Sequence, residues 1–470
     1  MFNQKHNEAL LASIREGKAM TQREKLSLII GLSIPSILAQ VSNVLMFYID
    51  ASMVGALGAE ASASIGLVEA ATWLFGGICS AASLGFSVQV AHFIGANDFV
   101  KARQVLRHGL AATALTSILI SLFAVSIAWE LPLWLRGGSD IQHDASLYFL
   151  IYSLALPFLQ LMILSSGMIK CAGNMVLPSV MSIVMCVLDV VFNYFFIYVL
   201  GLGVAGAALG TACAIAVVGI YLAWYALCHS SILALHLDTT KFVWMWDYIR
   251  NALKIGSPIA AQYMLMTSAH IVSTMIVAPL GNVAISANTF AITIESLCYM
   301  PGYGIGDAAT TLIGQSVGAG QYRLCRNFAK MTVGLGMFIM AVMGAVMYIF
   351  APEMIAVMTP VEDIRHLTVE ILRIEAFAEP MFAAAIVANC VFVGAGDTLR
   401  PALMNLLSMW CVRLTLAAWL VKDYGLRGVW IAMAAELVFR GFIFLARLRW
   451  GKWLKMPKHD KDSLETQSEV

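Results

Sequence analysis

Long apolar runs separated by short polar segments recur along almost the whole chain. A run of about 20 apolar residues is long enough to cross a membrane as an α-helix. Twelve such runs can be counted, and their approximate bounds are 28–55, 62–92, 105–129, 145–169, 178–201, 204–228, 250–279, 283–312, 326–350, 367–393, 401–421 and 427–447. The pattern predicts an all-α membrane protein with twelve transmembrane helices.

The composition supports a membrane protein and argues against a nucleic-acid partner. Of the 470 residues, 60% are hydrophobic and only 12% are charged, whereas charged residues approach about a quarter of an ordinary soluble domain. The formal net charge of +1 gives no basic surface for nucleic acid. We therefore expect the lipid bilayer as the surroundings, no nucleic-acid partner and a monomeric protein.

The positions of Lys and Arg predict the orientation in the membrane. If the N-terminus is inside, the cytoplasmic segments hold about 22 of the 29 basic residues, and the external segments hold only Arg136, Arg365, Lys422 and Arg427. Cytoplasmic loops of membrane proteins carry this excess of basic residues. The sequence therefore predicts a multi-pass protein of the cell (inner or plasma) membrane with both termini in the cytoplasm.

The second half of the sequence repeats landmarks of the first half at a constant offset of 223 residues. This offset aligns Pro35 with Pro258, Gly58 with Gly281, Gly95 with Gly318, Gly173 with Gly396, and Pro178 with Pro401. Each half holds six predicted helices, so the halves share one topology, and the substrate path of such repeats lies between them. The predicted organisation is an N-terminal arm (1–26), a first lobe (27–228), an inter-lobe linker (229–249), a second lobe (250–448) and a C-terminal tail (449–470) that is polar and mobile.

One carboxylate, Asp50, lies inside the first apolar run. A charge at the centre of a membrane helix costs about 2.5–3.5 kcal/mol on insertion scales, so such acids usually face a cavity and have a function. The matching position of the second half is Ser273. Pro35 lies earlier in the same run and removes a backbone hydrogen bond, which predicts a hinge in the helix that carries Asp50. These features indicate a carrier whose buried acid binds a proton or a cation.

Three further residues of the first lobe are candidates for the same site. Asp189 and Asn193 are one helical turn apart in the fifth run, so they share a face. Thr211 lies among the small residues that open the sixth run, where helices can approach closely. Carboxylate, amide and hydroxyl oxygens are the ligands that a small hard cation or a proton relay would use.

The second lobe has a different set of buried polar residues. Glu295, deep in the eighth run, is the best candidate for a second ionisable site. Asp307 lies nearer the cytoplasmic end, where a basic group could neutralise it, and His270 is a further candidate for this site. Arg413 is expected to neutralise a buried acid. Glu375 and Glu379, one turn apart in the tenth run, are candidates for lining the cavity or its external mouth.

Two other classes of function find less support in the sequence. A membrane enzyme would need a motif such as HExxH, a Ser/His constellation or a phosphate-binding loop, and none emerges; we therefore predict no catalytic residues. The nine cysteines form no CxxC and no Cys/His ligand spacing, so we predict no metal site and no cofactor other than a coupling ion. A channel is compatible with the composition, but a repeat with an acid in one half favours a carrier.

The sequence resembles the multidrug and toxic compound extrusion (MATE) family, of the bacterial DinF-like type. The resemblance covers residues 25–450. It rests on IPSILAQVSNVLMFYIDASMVGALG in the first run, VAHFIGANDFVKAR after the second, CAGNMVLPSVM before the fifth, DVVFNYFFIYVLGLGVAGAALGT, and the second-half echo GAGDTLRPALM.

The resemblance implies a two-lobe carrier that exports organic cations and drugs in exchange for H⁺ or Na⁺ by alternating access. It implies that the acid matching Asp50 is central to coupling, beside an amide and an acid one turn apart and the hydroxyl matching Thr211. The family pattern has the amide before the acid, whereas here Asp189 precedes Asn193. The alternative is a flippase for lipid-linked precursors from the same superfamily, which would need a cationic cavity.

Overall fold

A computed structural model describes residues 4–237 and 242–454, and every regular element in these two ranges is helical. The α-helices are α1 (Gln4–Arg15), α2 (Gln22–Gly55), α3 (Ala59–Gly95), α4 (Phe99–Ile127), α5 (Leu131–Trp134), α6 (Gln142–Cys171), α7 (Val176–Tyr194), α8 (Gly203–Trp224), α9 (Trp246–Val277), α10 (Asn282–Gly318), α11 (Tyr322–Ala356), α12 (Glu362–Ala376), α13 (Glu379–Gly394), α14 (Leu399–Leu407) and α15 (Leu414–Trp450). The π-helical segments Phe195–Val199 and Tyr225–His229 continue α7 and α8, and the π-helical segment Ser408–Arg413 joins α14 to α15.

The prediction of twelve membrane helices is confirmed. Ten helical segments within the described residues are long and apolar enough to cross a membrane, and α12 with α13 adds a bent one. The last of the ten, Leu399–Trp450, is 52 residues long, and Gly425 interrupts it with a φ of 57° and a ψ of −136°. Since only glycine adopts such a conformation readily, the segment divides there into the eleventh and twelfth predicted helices.

The tenth predicted helix, 367–393, is not straight. Its two parts, α12 and α13, meet at an angle of 58°. Pro380 lies in the first turn of α13, and a proline at this position has no N–H to continue the preceding helix. The apolar run therefore continues across a break that proline imposes on the backbone.

Most helices extend a few residues past the predicted apolar runs. α2 begins at Gln22 rather than at residue 28, because Thr21 and Glu24 form a capping box: the Glu24 N–H donates to the Thr21 hydroxyl, and the Thr21 N–H donates to the Glu24 carboxylate. Such a cap satisfies N–H groups that would otherwise lack partners in the first helical turn. The apolar pattern marks the membrane core, whereas the caps determine where a helix begins.

The two lobes meet mainly through α2 and α3 of the first lobe and α9 and α10 of the second. Gly95 lies directly against the backbone of Gln315, and Gly318 lies directly against the backbone of His92. Because 95 and 318, like 92 and 315, differ by the repeat offset, these two contacts are equivalent. The absence of a Cβ at both glycines lets α3 and α10 cross at backbone contact.

Both ends of the chain pack on this framework where they are described. In α1, Leu10, Leu11 and Ile14 are buried in an apolar cluster with residues of both lobes. At the other end, the predicted tail begins as an ordered segment: Trp453 is 3% exposed and its ring lies 5.7 Å from that of Phe392. The expected mobility of the tail does not hold for residues 449–454, since burial of the Trp453 indole against Phe392 outweighs the polar neighbours. The remainder, 455–470, lies outside the described residues, as do 1–3 and 238–241.

Candidate functional site

Asp50, Asp189 and Asn193 come together between α2 and α7. The side-chain nitrogen of Asn193 donates to Asp50 Oδ1 at 2.8 Å and to Asp189 Oδ2 at 3.0 Å. Both carboxylates therefore contact one nitrogen atom and are direct neighbours. The reversed order of acid and amide along α7 does not prevent the cluster, because residues four apart lie on the same helix face.

The residues that α7 contributes to the cluster are more deeply buried than the residue that α2 contributes. Asp189 and Asn193 are 0% and 1% exposed, whereas Asp50 is partly exposed. Asp189 Oδ1 and Asn193 Oδ1 are buried and accept no hydrogen bond among the described residues. A buried oxygen without a donor is unfavourable unless a proton or a cation satisfies it. The site thus presents two unsatisfied oxygens behind a carboxylate that an ion can approach.

Gly210 of α8 lets the third helix approach this cluster. A Cβ at this position would collide with the Asn193 side-chain oxygen and lie 2.8 Å from the Asn193 backbone nitrogen. Thr211, the next residue, is partly buried. The small residues that predicted close helix contact therefore do permit it, beside Asn193.

Tyr48 connects this cluster to the second lobe. Its hydroxyl, two residues before Asp50, donates to the Thr293 carbonyl of α10 at 2.9 Å. Thr293 in turn lies two residues before Glu295, the candidate acid of the second lobe. This contact is not among those predicted from the sequence, because nothing in the local pattern distinguishes Tyr48 from other aromatic residues.

The second lobe contains buried acids of two kinds. Glu295 is 6% exposed, and Glu375 and Glu379, at the bend between α12 and α13, are both 0% exposed. All four carboxyl oxygens of Glu375 and Glu379 lack a hydrogen-bond partner among the described residues. By contrast, the carboxylate of Glu436, which the sequence pattern did not single out, receives two hydrogen bonds from Arg440, at 2.7 and 2.8 Å.

Three further sequence expectations for this lobe concern Arg413, Asp307 and His270. The sequence predicts that Arg413 neutralises a buried acid. Its Nε is buried without a hydrogen-bond partner among the described residues, but its guanidinium lies near enough to Glu436 and Glu295 to interact with their charges. The direct ion pair of Glu436 is with Arg440. Asp307 forms an ion pair with Lys170 of the first lobe at 2.7 Å. His270 lies on an exposed part of α9.

Pro35 lies within α2, which is helical from Gln22 to Gly55. The residue is buried, and its counterpart Pro258 lies within α9. A hinge at Pro35 stays a prediction.

The lobes are tied together at the face that the charge pattern predicts to be cytoplasmic. His92 Nε2 lies 2.8 Å from the Gly394 carbonyl, and the Gln315 side chain donates to the Cys171 carbonyl at 2.8 Å. The Lys170–Asp307 ion pair lies at the same face. Asp50 lies towards the opposite end of α2, on the side away from these contacts. This state is closed at one face, with the acid cluster of the first lobe beyond the closure.

The duplicated lobes, the membrane-length helices and the buried acid clusters define a multi-pass membrane transporter built from two equivalent halves. The MatE family model matches residues 35–195 and 258–419, one match in each lobe. The two matches begin at Pro35 and Pro258, a pair that the sequence repeat also aligns. The chain belongs to the multidrug and toxic compound extrusion (MATE) family.

Curated relatives match nearly the full length. A "Probable multidrug resistance protein NorM" of Thermotoga maritima is 24% identical over 436 residues, which cover 91% of this chain and 93% of that protein. A protein of the same description from Pseudomonas aeruginosa is 27% identical over 454 residues, covering 92% and 91%. The "Uncharacterized transporter YisQ" of Bacillus subtilis is 26% identical over 380 residues, covering 79% and 82%.

Solved structures share the fold. A MATE structure in complex with MaL6 superimposes with a TM-score of 0.86 at 20% identity, covering 90% of this chain and 96% of that one. A Pyrococcus furiosus transporter of the MOP superfamily, described as having a binding pocket of reverse polarity that suggests a different function, gives a TM-score of 0.85 at 20% identity and covers 90% and 95%.

Proposed function

We propose that the chain is a secondary active transporter, not an enzyme, that exports organic cations and drugs in exchange for H⁺ or Na⁺ by alternating access. Family membership and the names of the multidrug resistance relatives support the substrate class. The closed predicted cytoplasmic face supports the alternating mechanism. The observation that carries the proposal is the Asp50–Asn193–Asp189 cluster with its two unsatisfied buried oxygens.

The same properties of the cluster would allow it to bind either H⁺ or Na⁺. Two neighbouring carboxylates repel each other when both are charged, so the empty site favours uptake of a proton or a cation. The Asn193 amide holds both carboxylates in place, and the free oxygens of Asp189 and Asn193 supply ligands for a hard cation. Binding a positively charged substrate at Asp50 would compete with the ion, which is the requirement for exchange.

The Tyr48–Thr293 hydrogen bond offers a path from ion binding to lobe movement. Loading of Asp50 changes the charge on α2 two residues from Tyr48, whose hydroxyl holds α2 to α10. A shift of α2 against α7 would therefore alter the contact between the lobes. Tyr48 is thus assigned a positioning role, not a role in ion binding.

In the second lobe we propose a separate ionisable site formed by Glu295, with Glu375 and Glu379 near enough to interact with its charge. The unpartnered carboxyl groups of Glu375 and Glu379 must be neutral or bind a cation, because a bare buried carboxylate is strongly unfavourable. The Glu436–Arg440 pair is already neutral and is therefore assigned a structural role. Asp307 and His270, the other candidates of this lobe, lie in an inter-lobe ion pair and on an exposed part of α9.

Dye efflux in proteoliposomes under an imposed H⁺ or Na⁺ gradient tests the proposal. For Asp50→Asn we expect gradient-driven efflux to fall at least about ten-fold, because the isosteric amide cannot exchange a charge with the ion. Glu295→Gln, measured beside it, reports whether the second lobe takes part. If Asp50→Asn transports as well as the unaltered protein under both gradients, the assignment of the coupling site is wrong.

A further inference from the structure

Helix α1 lies outside the repeat, yet it occupies the closed face between the two lobes. The described part of the matching segment in the second half, 227–237, contains no α-helix. Helix α1 contacts α2 and α3 of the first lobe and α10 of the second. Leu10, Leu11 and Ile14 are at most 7% exposed. They belong to one apolar cluster that also contains Leu28 and Ile29 of the first lobe and Leu312, Ile313 and Leu324 of the second.

The side chains of α1 fit against close backbone positions. Leu11 lies directly against Gly173, in the loop between α6 and α7, where an added Cβ would collide with it. Asn7 is 7% exposed and lies against Gly31 of α2, where an added Cβ would be 2.6 Å from the Asn7 oxygen. Contacts this close indicate a docked helix and not a loosely attached one.

The last carbonyls of α1 receive one hydrogen bond from each lobe. The Gln321 side chain, in the loop between α10 and α11, donates to the Ile14 carbonyl at 2.7 Å. The Asn97 side chain, in the loop between α3 and α4, donates to the Arg15 carbonyl at 3.2 Å. Since the carbonyls of a final helical turn have no partner within their own helix, these donors act as a cap divided between the two lobes.

The two capping loops are equivalent in the repeat. At the repeat offset, Asn97 matches Gly320, the residue before Gln321, and both have a positive φ, of 59° and 69°. The end of α1 therefore lies between matching turns that approach each other only when this face is closed. A short connection, which includes Gly17 at a φ of 73°, keeps α1 tethered to α2.

We propose that α1 is a latch that holds the predicted cytoplasmic face closed and so sets the balance between the two states of the transporter. If the lobes separate at this face, α1 can keep only one of its two caps and must expose apolar surface that it now shares with both lobes. The latch rests on the proposed alternating access and adds a regulatory element to it. Loss of a capping donor or of Leu11 should then favour opening.

Distances between spin labels measure this balance in the full-length protein in lipid nanodiscs. The labels are placed at Val100→Cys in the first lobe and Arg326→Cys in the second, both exposed at this face, with the exposed Cys228 and Cys411 replaced by serine. The variants are Gln321→Ala, which removes the second-lobe cap, and Leu11→Ala, which removes an apolar contact. Lys5→Ala, on the exposed face of α1, is the matched control.

We expect Gln321→Ala to raise the population with the longer distance about five-fold, as the loss of one hydrogen bond implies. Leu11→Ala should raise it further, and Lys5→Ala should leave it unchanged. One outcome overturns the latch alone: the unaltered protein shifts between two distances when pH or Na⁺ changes, but Gln321→Ala and Leu11→Ala leave its distance distribution unchanged. Alternating access then stands. If the unaltered protein keeps a single distance under every pH and Na⁺ condition, alternating access fails and the latch fails with it.

Discussion

At the residue scale, the charges buried in this membrane protein fall into satisfied and unsatisfied groups. Arg440, one turn further along α15, satisfies Glu436 with two hydrogen bonds, and hydrogen bonds between charged groups are the stronger kind. The oxygens of Asp189, Asn193, Glu375 and Glu379 that lack donors are the opposite case. A buried acid that accepts hydrogen bonds from a neighbouring donor has a structural explanation. A buried acid without such a donor indicates an ion site.

Tyr48→Phe tests whether the inter-lobe hydrogen bond beside Asp50 contributes to transport. The substitution removes only the hydroxyl that donates to Thr293 and keeps the ring. We expect gradient-driven dye efflux to slow by about five-fold, because one net hydrogen bond between the lobes is lost. The thermal unfolding midpoint should change little, since a single hydrogen bond is a small part of the total stability.

Tyr198→Phe is the control for this substitution. Its hydroxyl also donates to a carbonyl of α2, that of Met53, at 3.0 Å, but both residues belong to the first lobe. We expect efflux to change by less than about two-fold. Equal slowing by the two variants would show that the Tyr48 bond has no special role between the lobes.

At the element scale, small residues decide how closely the helices cross. Gly95 and Gly318 sit at equivalent crossings of α3 and α10, each against the backbone of the other helix. A backbone carbonyl cannot rotate away as a side chain can. Any Cβ at these positions must therefore push the helices, and with them the lobes, apart.

Gly95→Ala and Gly318→Ala should each lower the free energy of unfolding by about 1–3 kcal/mol, as overpacking does in other close-packed sites. Thermal unfolding in detergent measures the effect. Gly334→Ala in α11 is the control, since no atom lies within 4 Å of its added Cβ and alanine is the better helix former by about 0.5–1 kcal/mol. If Gly95→Ala unfolds at the same temperature as Gly334→Ala, the crossing of α3 and α10 does not require a glycine at position 95.

At the scale of the whole molecule, two equivalent lobes are joined mainly at one face. The contacts there include hydrogen bonds, close backbone crossings, α1 and one ion pair, Lys170–Asp307, whose side chains are 20% and 32% exposed. Because the pair is partly buried, solvent screens it less than a surface pair. The pair therefore stabilises the closed face more than an exposed ion pair would.

A double-mutant cycle measures that contribution. Lys170→Met and Asp307→Asn are compared singly and together by thermal unfolding in detergent, and we expect a coupling energy of about 1 kcal/mol. Added salt should reduce it only slightly. A coupling energy indistinguishable from zero would mean that the pair does not hold the lobes together.

Much of this architecture was readable from the sequence. Membrane helices satisfy their own backbone hydrogen bonds and need about 20 apolar residues each, so hydropathy alone gave the number of helices. The duplication appeared in the spacing of Pro and Gly, and the cost of a buried charge singled out Asp50, Asp189 and Glu295. These are properties of single residues or of short segments, which a sequence records directly.

The tertiary structure decided which of these residues meet. The sequence suggests a basic partner for Asp307, but it does not show that this partner is Lys170 of the other lobe, or that Glu379 has no partner within the described residues. The bridge by Asn193, the Tyr48–Thr293 bond and the position of α1 between two matching loops depend on distances across helices far apart in the chain. Such contacts exist only once the helices have packed, because membrane helices associate through shape and specific polar bonds and not through a hydrophobic pattern.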